Sequence, residues 1–176
     1  KALSLKYLKM VKIYVDPDAC PAKNEIERIA TRHNLITYMV CNGGIRPFRN
    51  PLIKLVVVNQ AADAADSWII DHIGKTDICV TNDIPLAGHC LTKGALAIKP
   101  NGMRFTDDNI GMAIATRDIM GKMRESGDVT SGPPPFGKLD RSRFMNQMEI
   151  MVRVRTFPLT WNFRRLYLCQ GCRACA

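Results

Sequence analysis

The sequence lacks any hydrophobic run close to the ~20 residues that a membrane-spanning helix needs. Its first nine residues include three lysines and no long uncharged stretch, so they do not resemble a secretory signal. These absences predict a cytoplasmic protein that makes no contact with a membrane. In that compartment the seven cysteines are expected to be reduced thiols and not disulfides.

Acidic residues are absent from both ends of the chain. Residues 1–9 carry a charge of +3 and residues 151–176 a charge of +5, so the remaining residues carry only +1 of the total of +9. The chain therefore does not have the evenly basic domain that grips nucleic acid by bulk charge. We interpret residues 1–9 as an extension before an original start at Met10, and residues 154–176 as a basic, poorly ordered tail.

Between these ends, strand patterns alternate with helix patterns. Short apolar and β-branched segments predict five strands, at residues 11–15, 35–40, 53–58, 77–81 and 95–98. Helical spacing, prolines and glycines predict helices starting at Pro21 and at residues 61–73, 85–93, 106–125 and 140–153. Such alternation predicts an α/β fold, a three-layer helix–sheet–helix sandwich with a mainly parallel sheet of about five strands. One domain would span residues 10–153, with a proline-rich linker at 131–137.

Aspartates follow three of the predicted strands. Asp16 and Asp18 come directly after the first strand, Asp63 and Asp66 open the helix after the third, and Asp83 ends the fourth. Ligands of parallel sheets bind beyond the carboxyl ends of the strands, so these side chains are expected at one edge. Their mutual repulsion calls for raised pKa values or for a hard cation, here Mg²⁺ or Mn²⁺. Each aspartate alone is also compatible with a helix cap or a turn.

Three basic residues are expected at the same edge, in loops or at a helix start. Lys23, Arg46 and Arg49 are candidates for contact with substrate phosphate, although each alone is compatible with a solvated surface charge. The three histidines show no metal-ligand spacing.

The cysteines favour packing over chemistry. Cys20 lies between the aspartate pair and a helix start, but the sequence supplies no neighbouring base for a nucleophile. Three others are expected in the core: Cys41, Cys79 and Cys90. The CxxCxxC spacing at residues 169–175 offers only three of the four ligands that a zinc or iron–sulfur site usually has.

The segment at residues 11–21, Val-Lys-Ile-Tyr-Val-Asp-Pro-Asp-Ala-Cys-Pro, is similar to the opening of the YaiI/YqxD family, which has a strand followed by Asp-x-Asp-Ala-Cys-Pro. The resemblance covers about residues 10–153, and Asn82 stands where alanine is more usual. It continues through ordered motifs: Asp63-Ala64-Ala65-Asp66, Thr81-Asn82-Asp83-Ile84-Pro85-Leu86-Ala87, Thr116-Arg117-Asp118, Gly132-Pro133-Pro134 and Asp140-Arg141.

The resemblance implies more than the spacing does. The family is grouped with PIN-like domains, whose enzymes are metal-dependent nucleases that act mostly on RNA. This grouping implies catalytic and metal-binding roles for four aspartates, with Asp63 nearby as a further ligand and Thr81 as a hydroxyl support near the substrate. The four are Asp16, Asp18, Asp66 and Asp83. The leading hypothesis is therefore an Mg²⁺- or Mn²⁺-dependent ribonuclease.

Two other functions stay open at this stage. In a haloacid-dehalogenase-like phosphohydrolase, Asp16 would attack the phosphate and Asp18 would be the acid and base. Cys20 stands where such enzymes have a hydroxyl residue, and no later lysine and acidic pair is evident. The third hypothesis is a module that binds RNA or a nucleotide without turnover. The sequence leaves the oligomeric state open.

Overall fold

A computed structural model describes residues 11–17, 20–61, 63–125 and 135–156. The predictions for Asp18, for most of the linker, for residues 1–9 and for residues 157–176, including the CxxCxxC cysteines, lie outside the described residues. Residues 154–156, predicted as the start of a poorly ordered tail, instead continue the last helix. The strands are β1 (Ile13–Val15), β2 (Thr37–Cys41), β3 (Ile53–Val57), β4 (Ile78–Val80), β5 (Leu96–Ile98) and β6 (Arg104–Phe105). The helices are α1 (Lys23–His33), α2 (Ala64–His72), α3 (Ile84–Thr92), α4 (Asp107–Glu125) and α5 (Lys138–Thr156).

The strands form one sheet in the order β3-β2-β1-β4-β5-β6. The first five are parallel to their neighbours, and β6 is antiparallel to β5. The predicted α/β fold with a mainly parallel sheet is confirmed, with β6 added to the five predicted strands. None of the described helices is both long enough and apolar enough to cross a bilayer.

Both faces of the sheet are covered, because side chains alternate along each strand. Ile13 and Val15 on β1 face a core that contains residues of α1 and α5, whereas Tyr14 faces a core built with α2 and α3. The three predicted core cysteines are buried: Cys41, Cys79 and Cys90. This arrangement gives the two helical layers of the predicted sandwich.

The unpredicted strand β6 is produced by a tight turn. Pro100, Asn101 and Gly102 separate Lys99 from Met103, whose backbone carbonyl accepts a hydrogen bond of 2.8 Å from the Lys99 amide. Gly102 has a φ of 87°, and the Asn101 side chain accepts a bond of 3.0 Å from the Met103 amide. A three-residue hairpin with glycine in the left-handed region fits such a loop.

This turn packs directly against α5. A Cβ on Gly102 would lie 2.7 Å from the backbone carbon of Arg143 and 2.7 Å from the amide nitrogen of Phe144. Real Cβ atoms do not approach backbone this closely, so the contact requires glycine in addition to the positive φ.

Candidate active site

The carboxyl ends of β1 and β4 lie side by side at the centre of the sheet. The chain proceeds from β1 to one side, through β2 and β3, and then crosses back to β4 on the other side. This change of direction is a topological switch point, where parallel sheets commonly bind ligands. Asp16 follows β1, and its amide donates a 3.1 Å hydrogen bond to the carbonyl of Val80.

A buried hydroxyl group links the two strand ends. Thr81 directly follows β4 and is fully buried. Its Oγ1 lies 3.4 Å from Oδ2 of Asp16, to which it donates, and it accepts a 2.9 Å bond from the amide of Asp83. Thr81 therefore links Asp16 to Asp83 through its hydroxyl group, which supports both residues.

Asp83 is constrained on both oxygens. Its Oδ2 accepts a 2.9 Å bond from the amide of Leu86, which makes Asp83 the N-cap of α3. Its Oδ1 accepts a 3.2 Å bond from the guanidinium of Arg117 on α4. The helix-cap alternative for Asp83 is thus correct, and the cap also aims the side chain at the switch point.

Asp66 lies in the first turn of α2, where the charges of the other aspartates affect its pKa. Partial burial raises its pKa to about 6, with contributions from the negative charges of Asp83, Asp16 and Asp63. Asp63 is the N-cap residue of α2, with a φ of 57° and no capping bond from its side chain. Asp16, Asp63 and Asp83 therefore lie close enough to Asp66 for their charges to affect its pKa.

These side chains offer carboxylate oxygens, which are the ligands that a hard divalent cation prefers. Their mutual repulsion contributes to the raised pKa of Asp66, and a bound cation would reduce that repulsion. Within the described residues, no group of three or more His, Cys, Asp or Glu side chains is arranged to hold a metal ion. Mg²⁺ usually keeps several waters and takes only one or two carboxylates, so the residues fit this cation without a closed cage.

The predicted basic residues occupy different surroundings. Lys23 begins α1 and is half-buried, and Arg46 and Arg49 are exposed on the loop that follows β2. The segment that leads from β1 to Lys23 and the loop that carries Arg46 and Arg49 both leave the carboxyl edge of the sheet, as expected. Cys20 is buried, and burial raises the pKa of its thiol to about 11, so the thiol is protonated at neutral pH.

Two cations next to the aspartates were not predicted. Arg117 contacts Asp83, and Lys99, at the end of β5, lies with its Nζ 5.1 Å from the centre of the Phe105 ring. Each had a sequence signal: Pro100-Asn101-Gly102 is a hairpin motif that follows Lys99, and Arg117 continues the helical stripe of Ile110 and Ala113. An arginine in a stripe that faces the protein indicates a buried or functional partner.

The fold and this edge define the class: a three-layer α/β protein with acidic side chains at a topological switch point. The chain belongs to a family described as "Uncharacterized BCR, YaiI/YqxD family", whose model matches residues 14–154.

Bacterial relatives support this assignment along most of the chain. A UPF0178 protein of Paramagnetospirillum magneticum is 49% identical over 143 residues, which cover 81% of this chain and 95% of the relative. A UPF0178 protein of Parvibaculum lavamentivorans is 49% identical over 144 residues, covering 82% and 95%. A third, from Roseobacter denitrificans, is 48% identical over 145 residues, covering 82% and 96%. No solved structure matches the chain.

Proposed function

We propose that this chain is a metal-dependent nuclease that hydrolyses RNA phosphodiester bonds at the carboxyl ends of β1 and β4. The observation that carries the proposal is the raised pKa of Asp66, about 6, which results first from partial burial and then from the negative charges of Asp83, Asp16 and Asp63. Carboxylates that cost each other free energy at a ligand-binding edge are typical of catalytic sites. The expected relationship to PIN-like domains implies the same activity, but it is not a test of the proposal.

Asp16 and Asp66 would hold Mg²⁺ or Mn²⁺, with Asp63 and Asp83 near them and Asp18 as a further predicted ligand. When bound, the cation would offset the negative charge of the phosphate and acidify a coordinated water. The protein's own groups do the positioning. The Thr81 hydroxyl orients Asp16, and the Leu86 amide orients Asp83.

The pKa of about 6 belongs to Asp66 without a cation. A bound cation would favour the ionised form of this carboxylate, as its role as a ligand requires. In the hydrolysis, the oxygen of water bonds to phosphorus, the ester P–O bond breaks, and the leaving oxygen takes up a proton.

Binding of RNA without cleavage is the second candidate. It is favoured by the Asp83 carboxylate, whose two oxygens already bond to Arg117 and to the Leu86 amide. In such a module the aspartates and Arg117 would form a ligand cleft with no turnover.

The test uses the purified full chain, a 5′-labelled single-stranded RNA and Mn²⁺. We expect Asp16→Asn to reduce cleavage at least 100-fold and to weaken Mn²⁺ binding in calorimetry. The matched control is Asp71→Asn, which changes an exposed aspartate on the same helix as Asp66 and is expected to leave both quantities unchanged. Cleavage that survives Asp16→Asn would reject the nuclease, and RNA binding by a wild type that shows no Mn²⁺-dependent cleavage would select the second candidate.

A further inference from the structure

A groove opens directly beside the paired strand ends, and the proposed chemistry does not use most of it. Its volume is about 830 Å³, within the range of roughly 300–1,000 Å³ typical of small-ligand sites. We call it the β6–α4 groove. Its lining residues include Asp16, Asp83, Lys99, Met103, Met112 and Arg117.

We propose that the β6–α4 groove binds one unpaired nucleotide of a single-stranded RNA, with Arg117 bound to its phosphate and the base against the methionines. This inference rests on the proposed function, since it supplies the substrate-binding half of that site. It makes Arg117 a phosphate ligand and the methionine wall the element that selects unpaired bases.

Charge argues for phosphate at Arg117. Asp16 and Asp83 repel an anionic strand, so a strand that approaches them needs cations on the groove wall. Lys99 and Arg117 both line the groove. Lys99 directly follows β5 and Arg117 lies on α4, whereas Arg46 and Arg49 lie on the loop after β2. In the sheet, β2 and β5 lie on opposite sides of the β1–β4 pair.

Energetics argue that Arg117 can change partners. Its side chain is 53% exposed, and an ion pair at such a position contributes little stability. A phosphate offers two oxygens to the planar guanidinium, and this bidentate contact is stronger than the single 3.2 Å bond to Asp83. The exchange also frees Oδ1 of Asp83 to face a cation. Phosphate binding and cation binding would therefore favour each other.

The apolar wall argues for an unpaired base. Met103 is 55% exposed, Met112 is 75% exposed and Met120, which also lines the groove, is 41% exposed. Thioethers adapt to an aromatic ring and make favourable contacts with it. A duplex presents phosphates and hides its base faces, so the methionines have little to contact on double-stranded RNA.

The test measures binding of a labelled 12-nucleotide RNA, single-stranded or paired with its complement, by fluorescence anisotropy in EDTA and in Ca²⁺. We expect Arg117→Gln to weaken single-strand binding about 10- to 100-fold, with partial recovery in Arg117→Lys, which restores the charge but not the bidentate contact. For Arg117→Gln, the slope of log affinity against log salt concentration should be less steep by about 0.7, as expected when one phosphate contact to a single strand is lost. Arg28→Gln, an exposed arginine on α1, is the matched control and should change neither quantity.

The methionine wall is tested on the same RNA. Met112→Ala should weaken single-strand binding roughly 2- to 10-fold, and Met112→Leu should weaken it less. Because Met112 is so exposed, neither variant is expected to alter folding, which circular dichroism checks.

The outcomes separate this inference from the nuclease proposal. If Arg117→Gln binds RNA as the wild type does, or if duplex binds as tightly as single strand, the groove assignment is wrong whatever the cleavage assay gives. If Arg117→Gln weakens binding while the wild type cleaves nothing in Mn²⁺, the groove assignment stands and the nuclease fails. A wild type that binds no RNA overturns both.

Discussion

Two helices of equal length have opposite relations to the core. α4 and α5 each have 19 residues. α5 buries four apolar side chains against the sheet: Phe144, Met148, Met151 and Val152. Among the described side chains of α4 none is buried, and only Ile110 and Ala113 pack against the core next to α3.

This difference between the two helices suggests different roles for them: α5 stabilises the core, and α4 borders the proposed groove. α5 leaves three large apolar side chains exposed beside its four buried ones: Leu139, Ile150 and Val154. α4 exposes five and buries none of its described side chains: Met112, Ile114, Ile119, Met120 and Met123. α4 is anchored at its start, where Thr106 and Asn109 bond to each other's backbone amides, and where its first turns meet α3. Met112 and Met120 of α4 line the proposed β6–α4 groove, so α4 forms a wall of that groove and α5 forms scaffold.

The largest expected effect breaks the scaffold helix. Phe144→Ala removes a fully buried ring and is expected to lower the free energy of unfolding by about 3–5 kcal/mol. Ile119→Ala on α4 changes a side chain that is 59% exposed, and is expected to shift it by less than about 0.5 kcal/mol. Urea unfolding followed by circular dichroism measures both. Equal losses would refute the contrast between the helices.

Two glycines sharpen the same contrast with opposite signs. Gly102→Ala places a methyl group 2.7 Å from the backbone of α5 at a φ of 87°, and is expected to cost about 2 kcal/mol or more. Gly111→Ala lies within α4 with no atom within 4 Å of its Cβ, and is expected to stabilise by about 0.5–1 kcal/mol. Thermal unfolding should show the two transitions on either side of the wild type. A stabilised Gly102→Ala would show that α5 does not press on the turn.

A smaller effect concerns the carboxylates that α4 borders. The pKa of Asp66 is raised to about 6, so the folded state binds this proton more tightly than the unfolded state does, and ionisation costs stability above pH 6. Asp66→Asn is therefore expected to stabilise by about 1 kcal/mol at pH 7.5, a figure reduced for solvent screening of a half-exposed group. The gain should disappear as the pH falls from 6 to 4.

Thermal melts across that pH range, with Asp71→Asn as the control, measure this difference. A melting-temperature gain of roughly 2–4 °C at pH 7.5 corresponds to 1 kcal/mol in a chain of this size. A gain that is the same at pH 4 and pH 7.5 would mean that the pKa of Asp66 is not raised in the folded protein.

The sequence predicts the strands and helices of the core better than it predicts the side chains that border the proposed groove. β1 and its exit at Asp16 are recognisable because an apolar β-branched segment runs directly into Asp-Pro. β6 escapes a periodicity argument because a strand of two residues, Arg104 and Phe105, has no period to detect. The contact between Arg117 and Asp83 joins residues 34 positions apart and depends on how α4 lies across α3. Local patterns carry no information about such a crossing.

The central place of β1 has a consequence for how the chain folds. β1 comes first in the chain but pairs on both sides, with β2 and with β4, and β4 lies more than 60 residues later. Until β4 docks, β1 is an open edge, Asp16 has no Thr81 beside it, and the negative field around Asp66 does not exist. Parallel pairing over such a separation is slow to form. The proposed metal affinity would therefore be among the last properties acquired during folding, and its appearance would report the completed central sheet.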